Sequence, residues 1–168
     1  MFQDPEDLMQ RSGHVWHGVA VGWRNDIGPC INHLASTSER ITGVKLALQD
    51  KSLLLLSFYA PTSGHDEAFL ESVCDLSDFL VQHMNPGDKV IIGADSNCSQ
   101  KSSSRRQDAW KNFCERFQLA NHYSPHPSFH HHNGLSESFL DIFATSSSMS
   151  IQDILQLYLE RSFELVKP

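Results

Sequence analysis

Nothing in this sequence stays apolar for long. The longest such stretches, LLLLSFYAP among them, fall well short of the ~20 residues that a bilayer-spanning helix needs. No membrane partner is therefore expected. Basic residues are also scarce: the formal net charge is −7, which argues against broad, nonspecific affinity for nucleic acid, because that affinity rests on Lys and Arg neutralising phosphates. The four cysteines, Cys30, Cys74, Cys98 and Cys114, are scattered without a C-x-x-C pair. This spacing speaks against a zinc knuckle and against a secreted disulfide framework, and it leaves reduced core or near-surface thiols. The opening MFQDPEDLMQ is acidic and holds a proline where a secretory signal carries basic residues and an apolar run. The expected address is intracellular, the nucleus included, and not secreted.

What is present suits one layered domain. At 168 residues the chain is long enough to bury a core without staples. HVWHGVAVGWRNDIG alternates at Val15, His17, Val19, Val21 and Trp23, the period of a strand. ITGVKLAL and SLLLLSFYAP, separated by the polar QDK, predict an antiparallel hairpin. HDEAFLESVCDLSDFLVQHMNPG places Phe69, Val73, Leu76, Leu80 and Met84 three or four apart, with acids in its first turn and Pro86-Gly87 as a stop. That is an amphipathic helix. It feeds the strand DKVIIGADSN, completing a strand–helix–strand unit. A second helix is expected from about Gln107, with Trp110, Phe113, Cys114 and Phe117 on one face. NHYSPHPSFHHHNG reads as a loop, SESFLDIFATS as a strand, and MSIQDILQLYL as a strand or a helix.

The residues that could carry chemistry cluster around VIIGADSNCS. Asp95 and Asn97 stand at the end of an inner strand, where layered α/β sheets receive ligands. Two residues apart on an extended segment they share a face, so both could reach one ion or one phosphate. The competing reading is a turn in which the two side chains bond local backbone groups. Tyr59, closing its strand before Ala-Pro, is either a phosphate donor or simple packing. Asp141, set between Leu140 and Ile142, needs a partner if buried, and structural and catalytic pairing stay equally open. QKSSSRRQDAWK supplies Lys101, Arg105, Arg106 and Lys111, either a local basic patch for a polyanion or a solvated loop and helix face. His130 to His132 are read as a polar loop rather than a zinc site.

In order, GVAVGWRNDI, LLLLSFYAPTSG, VIIGADSN and SESFLDIFATSS resemble the endonuclease/exonuclease/phosphatase superfamily, and within it the apurinic-type endonuclease domains of non-LTR retrotransposons. The resemblance spans roughly residues 13 to 148. It implies a two-sheet α/β sandwich of the DNase I-like type, incomplete here, with residues 1–168 forming a single partial domain. It further implies a Mg²⁺- or Mn²⁺-dependent phosphodiester hydrolase acting on DNA. Asp95 would orient or deprotonate the attacking water, and Asn97 would hold that water or a phosphate oxygen. Tyr59 would donate to the phosphate, and Asp141 would orient a histidine. Lys101, Arg105 and Arg106 would bind the flanking backbone.

The sequence also departs from the family pattern. Ala94 stands where the pattern has glycine, and neither the early metal-binding Glu nor the closing Ser-Asp-His is recognisable. The expectation is thus a weak or inactive nuclease whose unpaired sheet edges favour self-association. The alternatives are a phosphatase or RNA exonuclease of the same fold, or a non-catalytic interaction module.

Overall fold

The structure, a computed structural model, describes residues 18–23, 25–48, 51–62, 64–98, 104–123, 129–130, 137–138 and 140–149. A 3₁₀ helix, Asn25–Cys30, leads into strand β1 (Ile31–Leu34). Strands β2 (Ile41–Ala47) and β3 (Ser52–Tyr59) follow, then helix α1 (Asp66–His83) and strand β4 (Lys89–Asp95). Helix α2 (Arg105–Arg116) precedes β5 (Leu119–Tyr123), the short β6 (Phe129–His130) and β7 (Glu137–Ser138), and β8 (Asp141–Ser146).

Six strands make one mixed sheet in the order β1-β2-β3-β4-β8-β5, while β6 and β7 pair separately. The predicted hairpin is β2–β3, antiparallel from Ile41↔Phe58 to Ala47↔Ser52. The predicted strand–helix–strand unit is β3–α1–β4, whose strands run parallel. A parallel pair needs such a crossover, and α1 is long enough to provide it.

The two faces of the sheet differ, and the period of β3 explains how. Leu54, Leu56 and Phe58 are almost wholly buried and point toward the helices. Leu55, Ser57 and Tyr59 are only half-buried and point the other way. The helical side of the core joins Phe69, Val73, Leu76 and Leu80 of α1 to Trp110, Phe113 and Cys114 of α2. Trp110 stacks on Phe58 with ring planes 5° apart and donates from Nε1 to Asn121 Oδ1 at 3.2 Å. Each such buried aliphatic or aromatic side chain contributes about 1.5–3 kcal/mol by leaving water.

Helix ends follow ordinary chemistry. Ser104 caps α2, accepting from the Gln107 N–H at 3.2 Å, which satisfies one of the first-turn donors. Asp66 and Glu67 sit in the first turn of α1, where they complement the positive end of the helix. Gly87, at φ +89°, turns the chain out of α1 into β4, and Asp88 there accepts from Lys45 Nζ at 2.6 Å.

Three expectations need correction. Residues 18–23 form no strand. Val19, Val21 and Trp23 are half-buried, alternating with exposed Gly18, Ala20 and Gly22, so the period of two is real. No described strand lies alongside to complete a ladder, and the segment lies over the second face of the sheet. The start of the supposed loop, Asn121 to Tyr123, instead ends β5. Strand β1 was not anticipated. Most of MSIQDILQLYL, and residues 14–17, lie outside the described residues.

All four cysteines are free. Burial drives the Cys114 thiol up to about 11 and also raises that of Cys98. Neither is a nucleophile at neutral pH. No helix among the described residues is long and apolar enough to cross a membrane.

Candidate active site

Strand register brings three of the predicted residues into one line. Tyr59 on β3 is the parallel partner of Asp95 on β4. Asp95 in turn is the antiparallel partner of Asp141 on β8. Residues aligned across neighbouring strands send their side chains to the same face. Tyr59, Asp95 and Asp141 accordingly line one cleft of about 460 Å³ on the face turned away from α1 and α2, floored by Phe143 and walled by Val19 and Val21.

Asp95 is half-buried and Asp141 exposed. Burial pushes the Asp95 carboxyl above the ordinary carboxylate range, and the neighbouring charge of Asp141 pushes it further. Hydrogen bonds from the Asn97 backbone and side chain pull in the opposite direction without cancelling the rise. The carboxyl is held, polarised and partly desolvated, at the mouth of the cleft.

Asn97 reaches this position by a route the sequence reading did not foresee. The strand ends at Asp95, and Asn97 adopts φ 46°, a left-handed conformation that asparagine tolerates better than most residues. The rule that i and i+2 share a face therefore does not apply. The Asn97 N–H donates to Asp95 Oδ1 at 3.3 Å, and its Nδ2 donates to the Ala60 carbonyl at 2.9 Å. Both bonds belong to the turn reading of this motif, yet they tie the ends of β3 and β4 together and hold Asp95 toward the cleft. Ser96 locks the other side, donating from N and Oγ to the Leu140 carbonyl, each at 2.8 Å.

Among the basic residues, Arg106 is the one placed otherwise than expected, while Arg105 and Lys111 are exposed. Lys101 lies outside the described residues. Arg105 is exposed and paired with Glu67 at 2.6 Å, and Lys111 faces Glu115 one turn along α2. Arg106 is a correction. Only 6% exposed, it donates to the Thr62 carbonyl at 2.9 Å and to the Pro61 carbonyl, and its guanidinium stacks 4.2 Å from the Phe69 ring centroid. Arg106 precedes Trp110 by four residues, on the inward stripe of α2, so it pins the loop after β3 instead of facing solvent.

His122 shares the cleft face but turns away from Asp141, its Nε2 lying 2.8 Å from Thr145 Oγ1. His126, His131 and His132 lie outside the described residues, and His130 is described only as part of β6. Among the described residues no group of three or more His, Cys, Asp or Glu side chains converges as a metal site. One residue beside Tyr59, outside the lining of the cleft, was not among the expected site residues. Arg40 immediately precedes β2 and its carbonyl accepts the Tyr59 N–H at 3.0 Å. The signal was a lone cation at the start of the hairpin, directly across from its last residue.

No protein-family model and no curated protein matches the chain. Solved structures do. The endonuclease domain of TRAS1, a telomere-specific non-LTR retrotransposon, superposes with a TM-score of 0.55 and 18% identity, over 76% of this chain and 59% of that one. A beta toxin mutant from Staphylococcus aureus with bound magnesium ions gives 0.48 and 16%, over 66% and 43%. An endonuclease/exonuclease/phosphatase family protein from Bacteroides thetaiotaomicron gives 0.46 and 18%, over 64% and 41%. The chain thus spans less than two thirds of each of these structures. With its mixed sheet, one helix-covered face and the TRAS1 likeness, the chain has the endonuclease/exonuclease/phosphatase, or DNase I-like, fold.

Proposed function

We propose that this chain is a metal-dependent phosphodiester hydrolase acting on DNA, of the non-LTR retrotransposon endonuclease kind. The observation that carries the reading is the alignment of Tyr59, Asp95 and Asp141 across three adjacent strands on one cleft. Phosphodiester hydrolysis needs a positioned water, a group to take its proton, and donors aimed at the charge that develops on phosphorus-bound oxygen. Asp95, its carboxyl raised by burial, is suited to accept a proton from water, since a general base works best with a pKa nearer the working pH. The Tyr59 phenol supplies an O–H donor beside it. Asn97 acts by fixing Asp95, and its Nδ2 is engaged by the Ala60 carbonyl.

The residues present fit a divalent cation. Two carboxylates meet side by side, and their repulsion helps to raise Asp95. Mg²⁺ is commonly held by one or two carboxylates together with substrate phosphate and water. Asp141, together with substrate phosphate and water, would hold it beside Asp95, which stays free to take the proton, and when bound the ion would neutralise phosphate charge.

The test is incubation of the chain with supercoiled plasmid, abasic-site duplex, RNA and a phosphomonoester, each with Mg²⁺ and with chelator. Mg²⁺-dependent nicking of DNA supports the reading. Release of phosphate from the monoester, or digestion of RNA, without nicking would move the substrate to another branch of the fold; the net charge of −7 suits a small phosphorylated substrate. A folded chain with no Mg²⁺ binding and no turnover would leave an interaction module.

A further inference from the structure

We propose that Arg40, lying over Tyr59 at the edge of this cleft, is a phosphate-binding residue, its guanidinium donating to a non-bridging oxygen of the phosphodiester that Tyr59 and Asp95 face. The inference rests on the hydrolase reading above and names a substrate contact within it. Position is the first argument. The register Ile41↔Phe58, extended by one residue, sets Arg40 across from Tyr59, and the Tyr59 N–H to Arg40 carbonyl bond continues the ladder to that point. Arg40, Tyr59, Asp95 and Asp141 therefore form a single transverse row on the cleft face. Neighbouring strands lie about 4.8 Å apart, so Arg40 stands about two strand spacings from Asp95, a gap that a phosphate and an arginine side chain fill together.

The state of the guanidinium is the second argument. It is folded in over Tyr59, with Cζ 5.7 Å from the ring centroid. Its Nη1 is fully buried and has no hydrogen-bond partner. A buried guanidinium nitrogen without an acceptor is costly, so a rotation of the side chain that offers it to a phosphate oxygen at the cleft edge is favourable. Of the other arginines near this end of the sheet, Arg105 pairs with Glu67, and Arg106 donates from both Nη atoms to the carbonyls of Pro61 and Thr62, its Nε remaining buried without a partner. Charge is the third argument. Asp95 and Asp141 repel an incoming phosphodiester, and a planar, permanently charged donor set beside them offsets that repulsion in a fixed direction.

The test measures binding without turnover: polarisation of a short fluorescein-labelled DNA duplex, titrated with the full chain in EDTA across a NaCl series. Arg40→Gln is expected to weaken binding about tenfold and to reduce the salt slope by about one. Arg40→Lys should keep the salt slope but bind several-fold more weakly than wild type, since lysine retains the charge and loses the fork. Lys51→Gln, at the exposed turn before β3 and so at the far end of that strand from Tyr59, should leave affinity close to wild type. Circular dichroism melts accompany each variant. Should Arg40→Gln fail to fold, Arg40→Lys decides, and affinity equal to wild type would overturn the proposal. Unmeasurable wild-type binding, or a folded Arg40→Gln with wild-type affinity and salt slope, would overturn it too. Asp95→Asn separates the two ideas: in this assay it should bind at least as well as wild type, while its loss of nicking bears only on the hydrolase reading.

Discussion

Asp95 on β4 and Asp141 on β8 are direct partners across an antiparallel pair, at the last register position before the ladder ends. Nothing in the packing of an α/β sheet requires two acids to be set side by side. Their juxtaposition, with burial of Asp95, places that carboxyl above its ordinary pKa. Such destabilising arrangements are characteristic of functional sites.

The first prediction follows from the sign of that shift. A carboxyl whose folded pKa is raised binds more protons in the native than in the unfolded state between the two pKa values, so stability falls as pH rises through that window. Above it the penalty is fully present. Asp95→Asn removes the charge and keeps an acceptor for the Asn97 N–H. It should raise Tm at neutral pH, with the advantage fading as pH falls through that window and gone once pH is below the ordinary carboxylate range. Thermal melts followed by circular dichroism between about pH 3 and about pH 8 check this, and a lower Tm for Asp95→Asn at neutral pH would contradict it.

Arg106 and Arg105 are adjacent in sequence yet opposite in consequence. Arg106→Ala strips the hydrogen bonds from the Pro61 and Thr62 carbonyls and empties the space over Phe69. It should cost on the order of 3 kcal/mol, and Arg106→Lys should recover only part of this. Arg105→Ala, losing a solvent-exposed pair, should cost about 0–1 kcal/mol. Urea titrations of the three variants give the comparison, and similar costs for Arg105→Ala and Arg106→Ala would show the burial of Arg106 to be unimportant.

Asn97 combines a backbone and a side-chain role that two substitutions can separate. At φ 46°, alanine adds roughly 1–2 kcal/mol of strain, whereas glycine adopts this conformation freely. Both keep the backbone N–H that donates to Asp95 but lose the side-chain amide that donates to the Ala60 carbonyl and braces this turn. Asn97→Gly is therefore expected to be more stable than Asn97→Ala, while both lose Mg²⁺-dependent cleavage to a similar degree. Recovery of activity in the glycine variant would mean that Asn97 matters only for its backbone.

Much of the fold was legible because its signals are local. The spacing of Phe69, Val73, Leu76 and Leu80 alone defines α1, and the β-branched run Val90-Ile91-Ile92 defines β4. What escaped depends on distant partners. Strand β1 has four residues, two of them the polar Asn32 and His33, and exists by pairing with β2. Strand β5 places Asn121 inward, where Trp110 satisfies it; read alone, LANHY resembles a loop. At the site, the identities of Tyr59, Asp95 and Asp141 were readable, but their alignment is a matter of register across strands far apart in sequence. Arg40 was missed for the same reason. The inward position of Arg106 is legible in its four-residue offset to Trp110, which sets both on one stripe of the helix, whereas its charge points to solvent.

The reading of this cleft as a phosphodiester-cleaving site is tested most directly by the rate of supercoiled plasmid nicking in Mg²⁺ for wild type and Asp95→Asn side by side. Wild type should nick, slowly but above the chelated control, and Asp95→Asn, though folded, should be slower by about 10²–10⁴-fold. Equal rates in the two proteins, or nicking indifferent to chelation, would contradict it.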